Sequence, residues 1–130
     1  MRSSFSAAIL EGDNVAAAHS KRGVCRLKWG DQDEGERDFR AALVANDRCV
    51  SAIVNLGNLM LERGQYDEAE VCYKRALSID ESYALAHYNL GVLLRRKGNL
   101  AESIRELRLA SKYEAKPDTP RRRLSWWRGR

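Results

Sequence analysis

A shift of 34 residues carries this sequence onto itself, and that self-similarity constrains the fold more than any other feature. Leu90-Gly91 falls on Leu56-Gly57, Gly98 on Gly64, Leu100 on Tyr66, Leu107 on Tyr73 and Ala110 on Ala76. A second shift places Gly57, Gly64, Tyr73, Ala76 and Leu77 on Gly23, Gly30, Phe39, Ala42 and Leu43. A fixed period of this length marks an array of small units, none of which can bury its apolar face alone. Within each unit the apolar residues recur at helical spacing, so each unit is two helices joined at a glycine.

The period divides the chain into residues 16–49, 50–83 and 84–117. The spacing predicts helices near 16–29 and 32–45, 50–63 and 67–79, and 84–97 and 101–114. Gly30, Gly64 and Gly98 reverse the chain in short loops. Gly23, Gly57 and Gly91 let the two helices of a unit approach closely, and Ala42, Ala76 and Ala110 sit at the tight crossing. Phe39, Tyr73 and Leu107 are expected to fill the gap between one unit and the next. The first unit is degenerate, with Arg22 where the others carry Leu and Gly35 where they carry Ala69 and Ser103. Pro117 cannot continue a helix and closes the third.

Residues 1–15 hold Phe5, Ala8 and Ile9, which lie 34 residues before Phe39, Ala42 and Leu43. This reads as a partial helix of a preceding repeat or an N-terminal cap, with Gly12-Asp13-Asn14 ending it as a turn. In the first case the chain is a piece of a longer array.

The Leu-Gly, Gly, aromatic and Ala positions resemble the tetratricopeptide repeat (TPR) over residues 16–117. The resemblance implies an all-α fold, an α-solenoid of antiparallel helix pairs in a right-handed superhelix. It also implies a non-catalytic interaction module or scaffold, which binds an extended peptide or helix in a concave groove lined by the first helix of each pair. The groove positions are then Ala17, Lys21, Val24 and Lys28; Ser51, Val54, Asn55, Asn58 and Glu62; and Leu85, Tyr88, Asn89, Val92 and Arg96, with Arg95 at the rim. Asn55 and Asn89 stand one period apart, and a ladder of amides can bind peptide backbone without demanding a sequence. Lys21, Lys28, Arg95 and Arg96 against Glu62 favour an acidic ligand. Family members that clamp chaperone C-terminal carboxylates carry Lys, Asn and Arg at positions occupied here by Ser20, Val24, Asn55, Tyr88 and Val92. Only the Asn matches, so no such clamp is expected.

No chemistry-bearing motif competes with this reading. His19 and His87 share one repeat position and read as packing residues, without the partners a metal would need. Phosphate loops, nucleophile elbows and paired carboxylates are missing, so neither an enzyme nor a cofactor is expected. Asp31, Asp33, Glu34 and Glu36 sit at a helix start, where they complement the helix dipole. Cys25, Cys49 and Cys72 form no CxxC pair, and three thiols argue for a reducing compartment. No apolar run is long enough to span a bilayer. A cytoplasmic location is the expectation.

The net charge of +5 belongs to the end of the chain. Lys116, Arg121, Arg122, Arg123, Arg128 and Arg130 stand there against Asp118 alone, and the residues before them sum to zero. The tail, 118–130, with Trp126 and Trp127 beside its arginines, suggests contact with an anionic membrane or nucleic acid. It is short for an independent helix. That would leave Ile104 and Leu107 on an uncapped face, open to the tail or to self-association.

Overall fold

The computed structural model describes the backbone of residues 2–114 and the side chains of residues 11–114. Six helices follow one another: α1 (Arg2–Lys28), α2 (Gln32–Ala45), α3 (Val50–Glu62), α4 (Tyr66–Ile79), α5 (Ala84–Arg96) and α6 (Leu100–Glu114). From α2 onward each begins and ends within one residue of the expected bounds. The side chains of Phe5, Ala8 and Ile9, the stop at Pro117 and the tail contacts Arg121, Arg122, Arg123, Trp126 and Trp127 lie outside the described residues.

The loops within pairs are built by one device. Gly30, Gly64 and Gly98 take φ of 86°, 79° and 90°, where an L side chain is strained. The next N–H then reaches back five residues, from Asp31 to the Arg26 carbonyl, Gln65 to Met60 and Asn99 to Leu94, at 2.8–2.9 Å. This is the Schellman closure, which satisfies carbonyls the helix end leaves open. No neighbour lies within 4 Å of a Cβ at these glycines, so backbone conformation alone selects them.

The second set of glycines is selected by space. A Cβ on Gly23 would stand 2.6 Å from Phe39 Cε1, one on Gly57 2.7 Å from Tyr73 Cε1, and one on Gly91 2.7 Å from Leu107 Cδ2. Phe39, Tyr73 and Leu107 therefore lie across the glycine of their own pair, and do not simply fill the gap between units as expected. The reason is depth: the Tyr73 ring set against the bare backbone at Gly57 lets α3 and α4 close together, with Ala69 and Ala76 fully buried. Gly57→Ala should thus destabilise the fold. Overpacking costs about 1–3 kcal/mol, while the helical preference of alanine returns about 1 kcal/mol. Urea denaturation should show a lower midpoint at unchanged slope.

The expected turn at Gly12–Asn14 is not formed, and α1 runs through it. These residues dock on the end of α2 instead. A Cβ on Gly12 would lie 3.1 Å from the Ala45 carbonyl oxygen, and Asn46 Nδ2 donates to Asp13 Oδ1 at 2.8 Å.

Each odd-numbered helix packs most extensively on the helix that follows it. The odd helices also touch one another, α1 with α3 and α3 with α5, more than the even ones do. A stack whose contacts are denser on one side curves toward that side, so α1, α3 and α5 line its concave face. The main core lies between α3, α4 and α5 around Ile53, Val54, Tyr73, Leu90 and Leu93.

Two ionic clips join successive pairs on the rim. Arg63, at the end of α3, reaches Glu36 at 2.9 Å and Asp33 at 3.7 Å on α2, with Gln32 Oε1 at 3.4 Å. Lys97, at the end of α5, repeats the contact on α4, with Glu70 at 2.8 Å and Asp67 at 2.9 Å. Glu70 is held below the usual carboxylate range by Lys97 and Lys74, and Glu36 by Arg40 and Arg63. A carboxylate depressed in the folded state contributes stability above its unfolded pKa, and that contribution is lost as pH falls through the lower folded value. Lys97→Ala should therefore move the Glu70 midpoint upward in an NMR titration and weaken the acid dependence of unfolding.

The histidines are more than packing residues. His87 Nδ1 lies 2.7 Å from Glu106 Oε1 and Nε2 lies 2.8 Å from the Glu81 carbonyl, with the ring stacked on Tyr113. Both ring nitrogens of His87 are thus engaged, one by a carboxylate and one by a backbone carbonyl. His19 stands at the same repeat position, 4.0 Å from Asp38, and Asp38 occupies the position of Glu106. The degenerate Arg22 completes this pattern by donating to Asp38 at 2.8 Å. The second pair carries Ile53 and Cys72 at the two positions, with no charge to satisfy.

Candidate functional site

The concave face opens into a groove of about 430 Å³ between α1, α3 and the start of α5. Ala17, Ser20, Lys21, Val24 and Cys25 project from one face of α1, at the spacing that brings helical residues to a common side. Ser51, Val54 and Asn55 come from α3, and Tyr83 and Leu85 close the far end. The lining is mostly apolar, with a short polar line along its floor. Asn55 Nδ2 donates to Ser20 Oγ at 3.3 Å, and Ser20 Oγ lies 3.2 Å from Ser51 Oγ. Asn55 is half-buried and makes one side-chain hydrogen bond among the described residues, so its amide retains capacity for a ligand. Lys21 is exposed and is the one charged side chain in the lining among the described residues. Burial raises the Tyr83 phenol pKa, which keeps its hydroxyl a neutral donor.

The other sequence-selected positions divide into two groups. Tyr88 is half-buried, and Arg96 and Glu62 are exposed further along the concave face. Asn58 and Asn89 are buried, at 4% and 0% exposure, and serve the interior. Asn58 Oδ1 accepts from Tyr73 Oη at 2.6 Å and from Asn89 Nδ2 at 2.7 Å. The Asn89 side-chain oxygen, Oδ1, is buried and has no partner among the described residues.

The expected ladder of open amides therefore fails at Asn89, and the repeat register explains why. Asn89 finds Asn58, 31 residues earlier, on the preceding concave helix. The corresponding neighbour of Asn55 is Val24, which offers no acceptor. Asn55 turns to Ser20 instead and stays half-exposed. Cys25, Tyr83 and the Ser20–Ser51 contact belong to the groove but were not selected from the sequence as peptide contacts. The helical spacing from Ala17 to Cys25 was the available signal for the first of these.

Comparison with known proteins agrees with the helical-repeat fold. Two family models match, one described as TPR repeat over residues 57–98 and one as tetratricopeptide repeat over residues 84–117. No curated protein matches the sequence. Among solved structures, the chain is similar to the second TPR domain of Spaghetti (RPAP3) bound to the HSP90 peptide SRMEEVD. The identity is 21%, the TM-score 0.73, and the match covers 80% of this chain and 96% of that one. It is similar to the Yersinia enterocolitica type III secretion translocator chaperone SycD at 24% identity and a TM-score of 0.73, over 81% of this chain and 79% of that one. The first RPAP3 TPR domain, bound to the same peptide, matches at 17% identity and a TM-score of 0.73, over 82% of this chain and 84% of that one. The repeat register and these matches together identify tetratricopeptide repeats over residues 57–117, within a fold of six paired helices.

Proposed function

We propose that this protein is an interaction module that holds an extended, acidic peptide in the groove between α1, α3 and α5. The observation that carries the reading is the groove itself, an apolar trough with a half-exposed amide on its floor and one lysine beside it. Apolar walls receive alternate side chains of an extended ligand, while Asn55 addresses its backbone. Lys21 lies within the groove, and Arg96 lies further along the concave face, so acidic residues at those points meet opposite charge. The two RPAP3 domains, each bound to an HSP90 peptide, support a peptide ligand on this fold. Ser20 and Val24 stand where a carboxylate clamp would need charged or amide groups. Ser20 is buried at 4% exposure, so the proposed ligand is held without such a clamp.

The test is binding of peptides selected on the intact chain from a random displayed library. Asn55→Ala should weaken them about tenfold, the loss of roughly one to two ligand hydrogen bonds. Lys21→Glu should weaken acidic peptides more than neutral ones, with the difference shrinking as salt rises. Selected peptides indifferent to both changes would remove the groove from the account.

A further inference from the structure

The rim clips are made of two sets of positions that repeat along the chain, and the chemistry changes at one set in the first pair and at the other in the third. The reaching residue is Arg63 in the second pair and Lys97 in the third; in the first it is Trp29. The receiving positions are Gln32, Asp33 and Glu36 on α2, then Tyr66, Asp67 and Glu70 on α4; on α6 they are Leu100, Ala101 and Ile104. Trp29 is 87% exposed, Leu100 60% and Ile104 51%. Where an internal step pairs a cation with carboxylates, the two end faces thus present an indole and an apolar patch.

The rest of the α1 face agrees with this reading. Ala52, on α3, is buried against Ala42 and Ala16 of the preceding pair, and Ala86 is likewise fully buried. Ala18 holds that same position on α1 and is exposed, with Val15 beside it at 41%. The α1 face is therefore the surface that a following pair presents to a preceding one, and no preceding pair covers it among the described residues.

We infer that the protein stacks head to tail. The α1 face of one copy docks on the α6 face of another, with Trp29 seated on Leu100, Ala101 and Ile104 in the register that Arg63 and Lys97 use within the chain. The occupant is a second copy because both halves of the contact are on this chain and match in chemistry and in repeat position. The contact is heterologous, so it leaves a free α1 face and a free α6 face at the ends and permits open growth. It is separate from the concave groove and does not depend on a ligand there.

Sedimentation velocity of the intact chain, over a range of concentrations, tests this. Wild type should form larger species as concentration rises. Trp29→Lys and Ile104→Glu should each stay monomeric, because a lysine meets an apolar patch in one and an indole meets a carboxylate in the other. Mixing the two variants should restore assembly. The lysine introduced in one copy then meets the glutamate introduced in the other, and the unchanged Trp29 of the second meets the unchanged Ile104 of the first. Both positions are exposed, and circular dichroism should show unchanged helicity. A wild type that stays monomeric overturns the proposal, as do single variants that assemble like wild type. Monomeric variants that fail to complement each other when mixed also overturn it, because the register would then be wrong.

Discussion

Tyr73→Ala should destabilise the fold by about 3–5 kcal/mol, the range for deleting a fully buried aromatic ring. For a domain whose total stability is about 5–15 kcal/mol, that is a large share. Tyr73 is 0% exposed and does two things at once. Its ring covers the bare backbone at Gly57, which lets α3 and α4 pack closely. Its hydroxyl donates to Asn58 Oδ1, which also receives Asn89 from α5. One side chain thus ties three helices from two successive pairs. Tyr73→Phe separates the roles: it keeps the ring and loses the hydrogen bond, for an expected cost of about 1–2 kcal/mol. Urea unfolding of both variants checks the order. Equal losses would mean that the hydroxyl, and not the ring, dominates.

His87→Ile should cost about 3 kcal/mol, because it leaves the Glu106 carboxylate largely desolvated and without its partner. The side chains of His87 and Glu106 are only 8% and 12% exposed. The chain itself supplies the compensating change, since the second pair carries Ile53 and Cys72 at these two positions. His87→Ile combined with Glu106→Cys should recover most of the loss. A double-mutant cycle would then report a coupling well above the few tenths of a kcal/mol expected for independent sites. Additive losses would show that the two residues are not a unit.

How far the fold was legible follows from what a repeat register encodes. Period and glycine placement fixed the helices from α2 onward to within one residue, because each loop requires a positive φ at a constant offset. The close approaches at Gly23, Gly57 and Gly91 were legible because the large side chain over each glycine recurs at the same offset. Register does not say what a neighbouring side chain does, and the expectations failed there. Gly12 and Asp13 have turn chemistry, yet Ala45 at the end of α2 and Asn46 just after it use them as a docking surface, which local sequence cannot reveal. Asn55 and Asn89 are equivalent by position, but one faces Val24 across the stack and the other Asn58. Only the second is drawn into the interior. The placing of His19 and His87 beside carboxylates was readable in principle. Asp38 and Glu106 follow them at one constant spacing, and the second pair loses both partners together.

Cys25 gives a direct report on groove occupancy by a peptide. This thiol is exposed and lines the groove, whereas Cys49 and Cys72 are half-buried. Burial also raises the Cys72 thiol pKa, which slows its alkylation further. The decisive measurement is the alkylation rate of each cysteine in the intact chain, with and without a peptide selected on it. Peptide held in the groove should slow modification of Cys25 and leave Cys49 and Cys72 unchanged, and Asn55→Ala should remove this protection. Saturating peptide that leaves the Cys25 rate unaltered would contradict groove binding, placing the binding surface elsewhere on the array.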